Sequence, residues 1–366
     1  MWLLHSTTFL NHHLKKSHAI TCIRRIQSVP NQTLEPHQPF SKPVSVAPMV
    51  DVTDPHFLQL LRIISPSKKN ISYTQMYHVN AIINREKQLE RLCGPPEENT
   101  VVQIGGTDPE TMAQATNILQ ASGFSEVNIN IGCPSSRVQA GSFGAVLMKT
   151  PEKVREILTH ISDIGVTIPV TVKCRIGVDE YDSYEYLCDF INSITNQTPV
   201  QHIIVHARKA WLKGLSPEEN RKIPPLDYSR VYKLRHDFPH LKFTINGGIE
   251  TVDQIREHLK VVHGVMLGRK IREHPMFLDT LDRELLGDTQ KAELTEEAVV
   301  LSYLDYASKL HERGDMSISV LIRPLYNIFK GGRGKAFRRT IQTNLAKRDT
   351  LTFQEIVLGA LESTVR

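Results

Sequence analysis

Hydrophobic residues recur along this chain in two periods. Short β-branched runs at Val44–Met49, Ile71–Met76, Thr100–Gly105, Glu126–Gly132, Pro169–Cys174, His202–His206, Lys242–Asn246 and Gly264–Gly268 each end in a loop of glycine, proline, asparagine or charged residues, as buried strands do. Between them, segments such as Asp108–Ala121 and Pro151–Ile164 carry apolar residues at helical spacing. Eight strands alternating with helices predict an α/β fold, a (β/α)8 TIM barrel. A doubly wound sheet would more often place a glycine-rich dinucleotide turn after its first strand, and no G-x-G-x-x-G stands there. From about Thr295 the strand pattern stops, and Glu296–His311, Ile318–Phe329 with a break at Pro324, and Thr352–Leu361 predict helices. The expected organisation is a leader over residues 1–39, a barrel over 40–290 and a helical domain over 291–366.

Composition narrows the class. Of 366 residues, 40% are hydrophobic and 23% charged, which excludes a mainly disordered, collagenous or coiled-coil protein. Mean hydropathy is −0.25, and no apolar run approaches the roughly 20 residues that span a bilayer, which argues against a membrane-embedded protein. Five scattered cysteines without a C-x-x-C pair suggest neither a disulfide framework nor a zinc site, so no metal is expected and a reducing compartment fits. The outer helices show no apolar stripe beyond what a barrel would bury, which makes a monomer the expectation.

The net charge of +5 is small but unevenly spread. Met1–Leu34 holds no acidic residue while Lys15, Lys16, Arg24 and Arg25 punctuate it, the make-up of a transit peptide for a mitochondrion or plastid; without such an address the protein is cytoplasmic. Arg323–Arg348 accumulates basic residues with no acid between them, where a solvated helix would mix signs, and this suggests a polyanionic partner.

In a barrel of this kind the chemistry sits at the carboxyl ends of the strands. Strand seven ends in Asn246-Gly247-Gly248 and strand eight in Gly268-Arg269, where glycines let backbone N–H groups approach a phosphate and arginine adds charge. Gln103, Lys173 and His206 end strands three, five and six and are expected in the same mouth. A lysine there can form a Schiff base, act as a base or stand as a cation beside an anionic cofactor. Cys133, between Gly132 and Pro134, reads as a structural residue of its turn rather than a reactive thiol.

Longer motifs are more specific. Val46-Ala47-Pro48-Met49 with Asp51 and Thr53-Asp54, Gln103-Ile104-Gly105-Gly106, the run Asn128 to Ser135, Val172 to Gly177, Asn246 to Ile249, and above all HARKAWLKGLSPEENRKIPPLDY from His206 to Tyr228 resemble the dihydrouridine synthases, A-type group, over residues 44–340 or so. The resemblance implies FMN-dependent reduction of a uridine C5–C6 double bond in the tRNA D-loop, at positions 20/20a, with NADPH or NADH as hydride source. It implies that Ala47, Pro48, Met49, Gln103, Lys173, His206, Asn246, Gly247, Gly248, Gly268 and Arg269 hold the flavin. A lysine at the flavin's pyrimidine edge would stabilise the anionic reduced form. Asn130 is implied at the uracil edge and Phe143 beside the substrate, while tRNA contacts are expected at Arg208, Lys209, Asn220, Arg221 and Lys222, and at Lys335, Arg338 and Arg339 with Phe337 and Tyr326 interleaved.

The resemblance also implies a cysteine proton donor in a stretch of the form G-x-x-G-A-C-L-M. Here that stretch is Gly141 to Met148, with Val146 at the expected cysteine, and Gln75 replaces an expected glutamate. Valine cannot donate a proton, so Ser142 in the same loop is the substitute considered. Two alternatives follow: a catalytically lapsed flavoprotein that binds tRNA without turnover, and a flavin-dependent oxidoreductase acting on a free small molecule.

Overall fold

The computed structural model describes residues 38–288, 294–348 and 350–365. Most of the leader, residues 1–37, lies outside them, and so does the transit-peptide expectation. Eight strands form the ring: β1 Val44–Val46, β2 Ile71–Tyr73, β3 Thr100–Gly105, β4 Val127–Asn130, β5 Val170–Arg175, β6 His202–His206, β7 Lys242–Asn246 and β8 Gly264–Leu267. Each pairs in parallel with its neighbours; β1 joins β8 through Val46 and Leu267, and β2 joins β3 through Tyr73 and Val101, so the sheet closes without an edge. Closure is what lets strands of three to six residues survive, because no N–H row is left open.

The one irregular strand is the second. Its expected run to Met76 stops at Tyr73, and pairing resumes only at Tyr77–His78 against Ile104 and Gly105. Across this three-residue interruption the Thr74 N–H still donates to the Val101 carbonyl at 2.9 Å, while the Thr74 hydroxyl oxygen accepts the Gln103 N–H and its hydroxyl donates to the Gln75 carbonyl, so a side chain takes the place of a backbone acceptor.

The helix Pro55–Ile64 starts where Asp54 Oδ1 accepts the N–H groups of His56 and Phe57, and it buries Phe57, Leu58, Leu60 and Leu61. Against its outer side dock Glu296–Glu312 and the turn Arg323–Asn327. Tyr306 meets His56 Nδ1 at 2.9 Å, Arg323 reaches Asp54 at 3.5 Å, and Asn327 donates to the Arg272 carbonyl at 3.0 Å. Among the described residues no helix is long and apolar enough to cross a membrane. The boundary expected at 290/291 falls in the segment 289–293, outside the described residues.

One helix was not legible. Gly331–Leu345 opens Gly-Gly-Arg-Gly, a sequence of poor helix formers, yet runs fifteen residues and packs on Phe353–Glu362. Gly334 explains the anomaly: a Cβ there would stand 2.4 Å from the Phe329 carbonyl oxygen. The helix thus passes so close to the preceding turn that only hydrogen fits, and the Phe337 ring of the helix packs tilted against Phe329 with centroids 5.0 Å apart. We expect Gly334→Ala to destabilise the protein by about 1–3 kcal/mol through this overpacking, read as a lowered urea midpoint; an unchanged midpoint would show that the turn yields freely.

Candidate active site

Because all eight strands are parallel, their carboxyl ends open on one side, around a cavity of about 850 Å³. That volume suits a cofactor and part of a substrate. Ala47, Pro48 and Met49 line it after β1, Gln103 from β3, Asn130 and Cys133 from β4, Lys173 and Arg175 from β5, and His206 from β6. Asn246, Gly247 and Gly248 follow from β7, and Gly268 and Arg269 after β8. Every residue assigned to a cofactor from the sequence therefore faces one space.

The β7–β8 side is built for an anion. Gly247 and Gly248 have φ of +120° and +68°, and a Cβ on Gly247 would meet the His206 ring at 2.7 Å. Gly268 differs: a Cβ there would come no closer than 3.5 Å to any protein atom, so the space it leaves belongs to the cavity. Arg221, Arg269 and Arg272 line the same wall against few carboxylates, Asp51 and Glu250. A glycine cradle faced by guanidinium groups fits a phosphate-bearing ligand.

Lys173 is the central cation. Its Nζ donates to Asn246 Oδ1 at 3.1 Å, and the Asn246 amide donates to the Met266 carbonyl at 2.8 Å, so the lysine is held upright. Burial, and then the Arg175 charge, lower its pKa to about 8. Burial and the surrounding cations push His206 well below the usual histidine range, so it serves as a neutral imidazole. Arg175 is fixed by carbonyls: Nε donates to Gly132 at 2.9 Å, and Nη1 to Lys209 and Asn220 at 3.1 and 3.0 Å.

The expected proton donors are placed elsewhere. Gly141 and Phe143 line the cavity, but Val146 and Ser142 do not; Ser142 is exposed at φ 58°. Val146 belongs to the turn Gly144–Lys149, whose Ala145 N–H donates to the Cys133 carbonyl at 2.9 Å. A cysteine at 146 would thus stand in the brace of the thiol loop rather than at the mouth, and its absence removes nothing from the cavity. Among the described residues the thiol that lines the cavity is Cys133, partly exposed, while Cys93, Cys174 and Cys188 are buried outside it. Sequence reading took Cys133 as a structural residue of its turn; the signal for more was its place three residues after Asn130, whose Oδ1 accepts the Gly132 and Cys133 N–H groups at 3.1 and 3.0 Å. Gln75 lines a separate cleft of about 430 Å³ and accepts the Asp51 N–H at 2.9 Å, so it braces the loop after β1.

Several expected RNA contacts are engaged in other bonds. Asn220 is fully buried, and its amide bonds the backbone of Trp211, Leu215 and Ser216. Arg208 is buried against the carbonyls of Lys222 and Pro224. Lys209 pairs with Asp182 at 2.7 Å and lies 4.0 Å over the Trp211 ring. These three shape the loop after β6 instead of meeting a ligand, whereas Arg221 lines the cavity and Lys222 is exposed beside Glu218. Phe337 is buried and unavailable to a base. Lys335 and Arg339 are exposed on one face of Gly331–Leu345, with Arg338 half-buried and donating to the Tyr326 carbonyl at 3.1 Å. Phe143 is wedged between Gly105 and Gly141, where added Cβ atoms would meet its ring at 2.7 and 2.5 Å.

Comparison with known proteins identifies the family. The family model described as dihydrouridine synthase matches residues 45–362. The tRNA-dihydrouridine(20/20a) synthase of Shigella flexneri is 43% identical over 305 residues, covering 83% of this chain and 88% of that protein. Its counterpart in Synechocystis sp. is 43% identical over 300 residues, covering 82% of this chain and 88% of that protein. A solved structure of 2-naphthoyl-CoA reductase with 2-naphthoyl-CoA aligns with a TM-score of 0.50 at 10% identity, over 66% of this chain and 50% of that one, a likeness of fold.

The lowered Lys173 pKa has a measurable consequence. The unfolded chain holds this proton up to the ordinary lysine value of 10.5 and the ligand-free fold only to about 8, so the Lys173 contribution to stability rises with pH between those limits. Urea unfolding of the ligand-free protein and of Lys173→Met should show their stability difference moving toward the wild type by about 1–3 kcal/mol from pH 7 to 10; a difference independent of pH would mean the ammonium is well solvated.

Proposed function

The chain belongs to the dihydrouridine synthase family, and on that premise we propose that it reduces uridine to 5,6-dihydrouridine in the D-loop of tRNA, at positions 20 and 20a, using bound FMN and NADPH. The single observation that carries the reading is the meeting, in one cavity, of the Gly247-Gly248 and Gly268-Arg269 cradle with Lys173, Asn130 and Cys133. The cradle and the arginines beside it fit the FMN phosphate, and Lys173 fits the electron-rich edge of the ring system. When bound, the flavin supplies hydride for C6 of the uracil. Asn130 keeps one amide N–H uncommitted after bonding Gln103, and that donor fits a uracil carbonyl. The Cys133 thiol gives its proton to C5, which together with the hydride saturates the double bond and balances the reaction. His206 stays neutral, and Lys173 supplies charge rather than a nucleophile, so no covalent intermediate on lysine is required.

A uridine within a folded RNA must leave its stack to enter a barrel. Lys335 and Arg339, exposed on the appended helix, and Arg221 and Lys222 of the loop after β6 fit phosphate contacts around the opened base. A free small-molecule substrate would need neither. The lapsed-enzyme alternative loses its motive, because Val146 is off the cavity and Gln75 braces a loop. The acid-free leader supports an organellar address, checked by whether residues 1–39 carry a fluorescent protein into mitochondria or plastids.

The test is incubation of the purified flavoprotein with NADPH and unmodified tRNA, followed by mass spectrometry of digested nucleosides. Dihydrouridine over many turnovers is expected; bound flavin and tRNA without product would defeat the proposal. Cys133→Ala should lower kcat about 10²- to 10⁴-fold, the usual worth of a general acid, while Val146→Cys should change nothing; a rate gain at 146 would return the donor to that loop. Lys335→Ala and Arg339→Ala should each weaken tRNA binding and lower the slope of log affinity against log salt by about one, and an unaltered slope would remove that helix from the interface.

A further inference from the structure

Beneath the cavity the barrel interior holds, beside the apolar cluster of Ala47, Tyr73, Val101, Ile204 and Met266, polar side chains that form one continuous hydrogen-bonded line from floor to mouth. At the floor, Glu126 Oε1 accepts from Thr171 Oγ1 at 2.8 Å and from the Tyr73 hydroxyl at 3.3 Å. Thr171 Oγ1 accepts from Asn128 Nδ2 at 2.9 Å, and Asn128 Oδ1 accepts from Gln103 Nε2 at 2.7 Å. Gln103 Oε1 accepts from Asn130 Nδ2 at 2.8 Å, and Asn130 Oδ1 takes the N–H groups of Gly132 and Cys133. Thr171, Asn128, Gln103 and Asn130 are all buried.

Every donor in this line points toward Glu126. An amide offers oxygen on one side and nitrogen on the other, so the orientation of each member dictates that of the next. Two ends set the direction: backbone N–H groups at the mouth, which can only donate, and the Glu126 Oε1 at the floor, which accepts. With both ends so fixed, Gln103 and Asn130 each keep one N–H beyond the line, on residues that line the cavity. Reversed amides would turn oxygens toward the same space and leave the Cys133 loop without its acceptor. Glu126 is half-buried and its two partners are neutral hydroxyls; burial raises its pKa, with the hydrogen bonds from Thr171 and Tyr73 opposing. Such an acid in a line that a leucine could replace calls for a role.

We propose that Glu126 is a positioning residue for the reaction: through Thr171 and Asn128 it holds the amides of Gln103 and Asn130 as donors to the cavity and keeps Asn130 as the acceptor that seats the Cys133 loop. The inference rests on the reductase reading only for its kinetic part. Glu126→Leu removes the acceptor, Thr171→Val cuts the line at nearly constant volume, and Glu126→Gln keeps an acceptor at the same place. In the full chain, Glu126→Leu and Thr171→Val should each lower kcat for dihydrouridine formation about tenfold, with KM for tRNA within twofold. The double variant should be no slower than either alone, as members of one chain act together. Glu126→Gln should recover most of the loss. In the flavin-free protein, the side-chain amide resonances of Gln103 and Asn130 should move in the Leu and Val variants and stay near their wild-type positions in Glu126→Gln.

Unmoved resonances in folded Thr171→Val, or losses that add in the double variant, would overturn the proposal. Should Glu126→Leu not fold, Thr171→Val against wild type decides the same question. A wild type that makes no dihydrouridine but whose amide resonances respond as described would defeat the reading of the reaction and leave the positioning role standing.

Discussion

The architecture of the mouth hangs on one buried guanidinium. Arg175, at the end of β5, donates to carbonyls of Gly132, Lys209 and Asn220, and so ties the loop after β4 to the long loop after β6. These carbonyls lie in loops and a short 3-10 turn, with no ladder partners, and a buried acceptor left open costs about 1–3 kcal/mol each. Arginine suits the task because its fork reaches several acceptors from one stem. The charge itself has no carboxylate to meet it. Burial depresses the pKa of Lys173 and His206, and the Arg175 field lowers both further, so the residue that builds the rim also helps prepare the cavity for an anion.

That preparation explains a feature that would be a defect in a structural core. Cations gather at the open end of the barrel with few acids among them, which stabilises a negatively charged occupant at the expense of the empty fold. The appended helices carry the same sign outward on Lys335 and Arg339. Their own attachment is neutralised locally, by Asp54 on Arg323 and by Glu296 and Glu297 on Arg333, so the charge left exposed belongs to the face rather than to the joint. The second face of the story is interior: the polar line from Glu126 to Asn130 gives amide side chains a single orientation, which apolar packing could not.

Much of this was readable. Strands buried on both faces are short continuous apolar runs, and eight of them punctuated by glycine, asparagine and charged ends announced the ring and the side on which chemistry would lie. The Gly247-Gly248 and Gly268-Arg269 pairs were legible because each serves through local backbone geometry. Helix caps at Asp54, Asp108 and Thr352 likewise depend on neighbours within three residues. Where reading failed, the cause was distance. Asn220 and Arg208 look like RNA ligands in a basic run but bond to their own loop; Gly331 to Gly334 are poor helix formers but start a helix that must pass Phe329 closely.

Cys133 and Val146 mark the same division. By itself the sequence determined the barrel, the phosphate-type turns, the amphipathic helices and the family, since these follow from periodicity and from contacts a few residues long. Tertiary structure decided which of two neighbouring loops faces the cavity, because the turn at Gly144–Lys149 hydrogen-bonds to the back of the Cys133 turn. It also decided that Glu126, Thr171, Asn128, Gln103 and Asn130 form one line, because that requires the register of three adjacent parallel strands, in which Gln103 stands beside Asn128 and Asn128 beside Thr171. Register is set by closure of the whole ring, and no local stretch of sequence contains it.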